Sequence, residues 1–335
     1  IYNGSKRLNT IKQERLNNQV ANLDVETSEN SIQESIAQIY IQILYAAESV
    51  KVNENTLQVS IAQRDRGQEL LNAGSIAKSD FAQLEAQVST DRYQLVTAQA
   101  TLQDYKLQLK QLLELDGENE MNIYLPALSD ENVLAPLPTK KDVYIRALSL
   151  RPEIEASKLN VEASELGIGI AKSSYLPTIS LSAGIGTNHT SGSDFTFGEQ
   201  VKNGWNNSIG LSVSVPIFNN RQTKSAVQKA KLQYETSMLS LLDEQKTLYK
   251  TIEGLWLDAN SAQQRYAAAN EKLKSTQISY ELISEQFNLG MKNTIELLTE
   301  KNNLLQAQQE QLQAKYMAIL NMQLLKFYQG DQLAI

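Results

Sequence analysis

The chain has no cysteine, so it offers no disulfide framework, thiolate nucleophile or thiolate metal site; that composition is compatible with an oxidising compartment without requiring one. Its single histidine, His189, sits in the polar loop TNHTSGSD with no metal-ligating neighbour and reads as a surface loop residue. A positive excess is also missing. Against 31 basic residues stand 38 acidic ones, a net charge of −7, whereas a phosphate-binding surface needs clustered positive charge, so nucleic acid is excluded as a partner. No run of 18 apolar residues occurs, which excludes a transmembrane helix but leaves open the alternating strands of a β-barrel. Proline is scarce, with six in 335 residues. None interrupts the stretch from about Asn9 to Asn72, or that from about Asn220 to Asn288.

What the chain does contain is a repeat. LNAGSIAKSD at 71–80 and FNLGMKNTIE at 287–296 share an Asn-x-Gly and an acid six positions after the glycine, Asp80 after Gly74 and Glu296 after Gly290. The same offset of 216 places IYN at 1–3 over IFN at 217–219 and Ile36, Ile39, Tyr40 and Ala46 over Ile252, Leu255, Trp256 and Ala262. It also places Leu109-Lys110 over Leu325-Lys326. Size is preserved more than identity, as in a duplicated structural unit.

Within each copy the apolar period is helical. Ile32, Ile36, Ile39, Ile43, Ala46 and Val50 step by four and three, and positions 84, 88, 91, 95, 98, 102, 105, 109 and 112 continue the rhythm with Asp91 as the one polar exception. Leu298, Leu305, Leu312 and Ile319 recur every seven residues, a coiled-coil seam. A single helix over the first proline-free stretch would reach roughly 95 Å at ~1.5 Å per residue. Gly74 and Gly290 are expected in the left-handed conformation that ends a helix, with Ser79 and Asn293 or Thr294 capping the returning one. Each Asn-x-Gly is therefore the tip of a long helical hairpin. Outside the seam Gln, Asn, Ser and Ala dominate, as in NNLLQAQQEQLQAK at 302–315, a composition that suits either a solvated surface or the lining of a wide aqueous passage.

Between the hairpins the pattern changes. Residues 114–140 hold three of the six prolines and a strand candidate at Met121–Leu125, and helices are expected from about Lys141 to Ser173 with a break at Arg151-Pro152. Ile179, Leu181, Ala183 and Ile185 then alternate with Ser180, Ser182, Gly184 and Gly186, and after a loop Ile209, Leu211, Val213 and Val215 alternate with Gly210, Ser212 and Ser214 up to Pro216. Two such strands fit the lipid-out, lumen-in pattern of a membrane barrel, with Ile179, Leu181, Ile185, Ile209, Leu211, Val213 and Val215 on the lipid face. Tyr175 and Trp205 stand near the ends, where aromatic girdles lie. An ordinary hairpin on a soluble core is the alternative, but it does not explain an opposite face without bulk. Nothing points to catalysis. The two GIG triplets, at 167–169 and 184–186, lack a strand–turn–helix phosphate context, and Glu114, Asp116 and Glu118 read as solvated linker carboxylates. No catalytic residue, cofactor or metal is expected.

LRPEIEASKLNVEASELGIGIAKSSYLPTISLSAGIG at 150–186 resembles the segment that introduces the second strand pair in the TolC-like outer-membrane efflux proteins. The resemblance extends over nearly the whole chain through the Ile-[Tyr/Phe]-Asn helix starts, the Gly-x5-[Asp/Glu] tips and the Arg-Pro-Glu and Tyr-Leu-Pro junctions. It implies a mainly α fold of long antiparallel coiled-coil hairpins in two structural repeats, with a β-hairpin contributing to a trimeric membrane β-barrel of four strands per protomer. It further implies a bacterial outer-membrane location with a helical tunnel in the periplasm. The function implied is a passive exit duct of a tripartite efflux or type I secretion system, working with a periplasmic adaptor and an inner-membrane transporter. The organisation expected is a first hairpin at 1–113 with its tip near 72–78, a linker at 114–140, equatorial helices at 141–173, a transmembrane β-hairpin at 174–218, and a second hairpin at 219–335 with its tip near 288–294.

By the same resemblance Leu71, Asn72, Ala73, Gly74 and Ser75, with Phe287, Asn288, Leu289, Gly290 and Met291, dock the adaptor. Glu296 aligns with the family's acidic position, and with Glu300 one turn further on the same face and Lys292 four residues before it is expected to form the periplasmic gate, an exposed i,i+4 pair of Lys292 and Glu296 being the alternative. Thr299 stands where some relatives have a second acid, so a double acidic ring at 296 and 299 is not expected. The first copy lacks a strand pair equivalent to residues 139–216, so a similar segment is expected ahead of Ile1. A soluble coiled-coil adaptor or scaffold would account for the helices alone, and a helical pore-forming toxin for the long helices and the apolar hairpin.

Overall fold

The computed structural model describes residues 1–115, 123–124 and 133–333. In chain order these form α1 (Lys6–Asn72), α2 (Lys78–Leu112), α3 (Lys140–Leu150), α4 (Pro152–Ser173), β1 (Thr178–Gly186), α5 (Phe197–Asn203), β2 (Asn206–Ser214), α6 (Gln222–Asn288) and α7 (Thr294–Tyr328). The duplication is explicit in the lengths: α1 and α6 each have 67 residues, α2 and α7 each have 35. α1, α6 and the pair α3 and α4 fall within three residues of the sequence expectation. The strand expected at Met121–Leu125 lies outside the described residues apart from Ile123 and Tyr124, as do Asp116 and Glu118. Short α5, inside the loop around His189, was not expected.

The chain divides into two compact units. One comprises Ile1–Thr27 with Arg151–Lys246. Here α4 opens on Pro152, whose fixed φ suits a first helical position, and Arg151 Nε donates to Glu153 Oε1 at 2.8 Å, both side chains largely buried. Gln13 Nε2 donates to the Ala163 carbonyl at 2.8 Å, joining α1 to α4. The first GIG triplet belongs to this contact, since a Cβ on Gly169 would stand 2.9 Å from Asn9 Nδ2. β1 and β2 pair antiparallel from Thr178↔Ser214 to Gly186↔Asn206, and Tyr2 makes a bridge to Ile179 on the outer edge of β1. Residues directly opposite in such a ladder point to one side. Ile179↔Val213, Leu181↔Leu211 and Ala183↔Ile209 therefore share a face, and Ser180↔Ser212 and Ser182↔Gly210 share the other.

The second unit comprises Ser28–Leu150 with Thr247–Ile335. Its main core gathers Ile41 and Leu44 of α1, Ala262 and Tyr266 of α6, and Leu312, Tyr316, Ile319 and Leu324 of α7, each fully buried large side chain contributing about 1.5–3 kcal/mol relative to exposure. The seam is not uniformly buried: Ile32 at its start is exposed, whereas Ile43 and Leu44 are not. The segment before α3 is held by polar clasps. Trp256 Nε1 donates to the Pro138 carbonyl at 3.0 Å, Gln263 Nε2 donates to the carbonyls of Val133 and Ala135 at 2.9 and 2.8 Å, and Lys140 pairs with Glu253 at 3.0 Å. A second core, of Leu84, Phe287 and Leu297, brings α2 against the second hairpin close to the tips.

Candidate functional site

The two tips are built alike. Gly74 and Gly290 have φ of +74° and +73°, and in each the following residue donates to the carbonyl five back, Ser75 to Leu70 and Met291 to Gln286, both at 2.8 Å. Each glycine donates three back, to Leu71 at 3.0 Å and to Phe287 at 2.9 Å. This double bond closes a helix at a left-handed residue. A Cβ on either glycine would meet nothing within 4 Å, so backbone conformation alone requires glycine there.

The returning helices start differently. Asn293 caps α7, its Oδ1 accepting from the Glu296 N–H at 2.9 Å while Glu296 Oε2 accepts from the Asn293 N–H at 3.2 Å, a reciprocal capping box. The first tip has Ala77 at the cap, which lacks an acceptor; only the reverse bond is present, from the Ala77 N–H to Asp80 Oδ2 at 3.3 Å. Ser79 is therefore not the cap, because the backbone is still extended at Ala77 and Ser79 already lies in the first turn.

Of the expected docking residues, Leu289 and Met291 are exposed, as are Asn72, Ala73, Gly74 and Ser75. Phe287 is buried, wedged against Leu84 and Leu297, with Leu70, Tyr280, Ile283 and Leu298 around them. It joins the hairpins from inside.

The expected gate residues are brought together in part. Lys292 Nζ donates to Glu296 Oε1 at 2.7 Å, and this bond, followed by the one from the Asn293 N–H, holds the Glu296 carboxyl below the usual carboxylate range. Glu300 turns elsewhere, accepting from Ser279 Oγ on α6 at 3.1 Å. Thr299 returns its hydroxyl to the Ile295 carbonyl at 2.8 Å.

One cluster was not foreseen. Lys301 of α7 is buried with Nζ donating to Asp91 Oδ2 of α2 and to Ser60 Oγ of α1, while Ser60 Oγ also bonds Asp91 and Gln87 Nε2 donates to Asp91 Oδ1 at 2.9 Å. Burial pulls the Lys301 ammonium below its ordinary value, against the opposing pull of Asp91.

On the strand pair the expected lipid-face residues Leu181, Ile185, Ile209, Leu211 and Val213 are more than half exposed. Val215 is exposed one residue beyond β2, and Ile179 is half-buried. The loop between the strands is ordered around Gln200, whose Oε1 accepts from the Thr190 N–H at 2.8 Å and meets His189 Nδ1 at 3.0 Å, and whose Nε2 donates to the Phe195 carbonyl at 2.8 Å. Tyr175 and Trp205 are exposed near opposite ends of the strands.

Two helical hairpins of equal length, duplicated within one chain and accompanied by a two-stranded ladder with one apolar face, define a mainly α, coiled-coil protein with a small β-hairpin. The chain belongs to the outer membrane efflux protein family, whose profile matches residues 143–330. It is similar to the outer membrane efflux protein BepC of Brucella suis, 24% identical over 290 residues covering 86% of this chain and 60% of the relative. To the outer membrane protein TolC of Escherichia coli it is 23% identical over 311 residues, covering 90% and 62%. The chain thus spans about six-tenths of the length of these relatives. Among solved structures, CusC superposes with a TM-score of 0.85 at 18% identity, covering 98% of this chain and 75% of that one, which shows the shared fold.

Proposed function

We propose that this chain forms the helical tunnel and half of one protomer's barrel strands in an outer-membrane exit duct of a tripartite efflux or type I secretion system. The observation that carries the reading is the strand pair. Its register sets Leu181 opposite Leu211 and Ala183 opposite Ile209 on one face, while serine and glycine fill the other. Such a ladder suits hydrocarbon on one side and a wet lumen on the other, and membership of the outer membrane efflux protein family supports that setting. The relatives carry the export function in their names, among them the toxin and drug export protein A of Aggregatibacter actinomycetemcomitans. The duct reading gives the protein transport work and no reaction to catalyse.

In this reading three copies close the barrel, the hairpins continue it through the periplasm, and the segments meet near residues 113, 140, 173 and 218. The tips at 71–75 and 287–291 receive the hairpins of a periplasmic adaptor, which links the duct to an inner-membrane transporter. Phe287 supports the tip from within while Leu289 and Met291 provide the contact. Glu296, held by Lys292 and Asn293, supplies one carboxylate per protomer to a ring at the periplasmic aperture, a site that favours cations and takes up multivalent ones.

Electron microscopy of the complete protein in detergent tests the assembly, with a trimeric cylinder about 100 Å or longer expected from helices of this length. In planar bilayers the pore is expected to be cation-selective and blocked by a multivalent cation from the periplasmic side, with the block weakened in Glu296→Gln. A monomer without conductance would overturn the duct. A block unchanged in both Glu296→Gln and the Glu296→Gln/Glu300→Gln double variant would move the ring elsewhere.

A further inference from the structure

The Lys301 cluster has no place in the duct reading and no evident reason in stability. Lys301, Ser60 and Asp91 are each no more than 3% exposed. Taking an ammonium and a carboxylate out of water costs roughly what their attraction returns, and apolar side chains of similar size commonly serve as well or better. Buried polar groups in coiled coils have a better-attested use, which is to decide which helices pair and in what register.

The duplication creates such a decision. With α1 matching α6 and α2 matching α7 in length, helix length does not distinguish one returning helix from the other. In the structure α7 of the second repeat lies against α1 and α2 of the first, with Lys301 facing Ser60 and Asp91 and Asn302 Oδ1 accepting from Gln87 Nε2 at 3.5 Å. The offset of 216 carries Lys301 to Glu85, Asp91 to Ala307 and Ser60 to Thr276. A first-repeat hairpin receiving the returning helix of another first repeat would set Glu85 against Asp91, two carboxylates in a dry site. A second-repeat hairpin receiving its own kind would set Lys301 against Ala307 and Thr276, with no counter-charge at either position. Only the mixed pairing matches the ammonium to a carboxylate.

We propose that Lys301, Asp91 and Ser60 are a pairing selector, which makes the first-repeat hairpin accept a second-repeat returning helix and refuse one of its own kind from a second copy of the chain. Within one chain this needs only the fold; between copies it rests on the trimer reading. It yields hairpins in alternating order, and it acts by penalising the wrong partner as much as by attracting the right one.

Because residues 1–335 hold no cysteine, thiols engineered into them report pairing by comparison with the complete protein that lacks those substitutions. Gln87→Cys with Asn302→Cys in one copy of the complete protein marks the mixed contact. Gln87→Cys in one copy and Ala86→Cys in a co-expressed copy mark the like-with-like contact, since Ala86 is the repeat counterpart of Asn302. The unaltered background is expected to give the first cross-link and not the second. Glu85→Lys, at an exposed position, and the apolar pair Asp91→Leu/Lys301→Met are each expected to raise the like-with-like dimer on the order of tenfold, as removal of a repulsive element does. No rise in the apolar pair overturns the proposal. If that variant does not accumulate, Glu85→Lys decides alone, and an unchanged dimer there overturns it equally. Failure of the trimer reading is read separately, from the mass of the unaltered protein in detergent.

Discussion

Gly67, in the last turns of α1, offers a sharp test of how the tip region is packed. An added Cβ there would stand 2.3 Å from Cδ1 of Leu84, closer than real Cβ atoms approach, and Leu84 is itself 1% exposed and packed against Phe287 and Leu297. Two effects of Gly67→Ala oppose each other. Replacing an interior helix glycine favours the helix by about 0.8–1 kcal/mol, while forcing a methyl into a filled core costs about 1–3 kcal/mol. Leu84 has little room to retreat, so the overpacking is expected to win and Gly67→Ala to destabilise. Leu84→Ala removes the obstacle at a cost of about 2–5 kcal/mol, and in that background the added methyl fills part of the void, so Gly67→Ala is expected to stabilise by about 1 kcal/mol. The sign of one substitution therefore reverses with its neighbour. Hydrogen exchange of the α1 amides from 60 to 72, measured on the complete protein in detergent, reads this as protection that falls in one background and rises about fivefold in the other, since ~1.4 kcal/mol is tenfold. A Gly67→Ala effect of the same sign and size in both backgrounds would refute the contact.

Gly290→Ala, at a φ of +73°, is expected to cost about 1 kcal/mol and speed exchange at the second tip, whereas Gly186→Ala, with open space around it and no positive φ, is expected to leave exchange in the strands unchanged. Lys301→Met leaves Asp91 buried without its cation and is expected to cost about 3–5 kcal/mol, most of which the added Asp91→Leu should recover; thermal melting of the helical signal compares the two. Glu296 has a folded pKa lowered below 4.5, so its contribution to tip order is complete at pH values above 4.5 and is lost as pH falls through the folded value. Exchange at 290–296 is accordingly expected to be flat from pH 7 to 5 after correction for intrinsic rates and to rise below pH 4 in the native chain, but not in Glu296→Gln.

The tips were legible because their signal is local: a glycine with positive φ between two helices needs no tertiary partner to be recognised. The strand faces were legible for a similar reason, since a period of two fixes which residues share a side. Helix starts were less so. Ser79 has a capping side chain, but the cap falls where the backbone leaves the extended region, at Ala77, which propensity does not place. Chain position alone puts Phe287 among the tip contacts, whereas Tyr280, Ile283 and Phe287 step by three and four and so mark an inward stripe. Asp91 stood out as the polar exception in its seam, and Lys301 lies in phase with Leu297 and Leu304; pairing them required knowing that α2 meets α7, which one sequence does not state. For α5 the capping signature Thr196-x-x-Glu199 is present, but seven helical residues are too few to show a period.

The two-stranded ladder has a consequence for the order of events during assembly. Among the described residues the outer edge of β2 has no partner, and that of β1 is met only by Tyr2 at Ile179. In water those edge groups are solvated; in hydrocarbon each unpaired N–H or carbonyl costs several kcal/mol. In the duct reading a single protomer therefore has no stable inserted form, and entry into the bilayer cannot precede edge-to-edge closure with its neighbours. Insertion should follow a high power of protomer concentration, with the periplasmic helices, which have no such debt to lipid, free to gather the copies first.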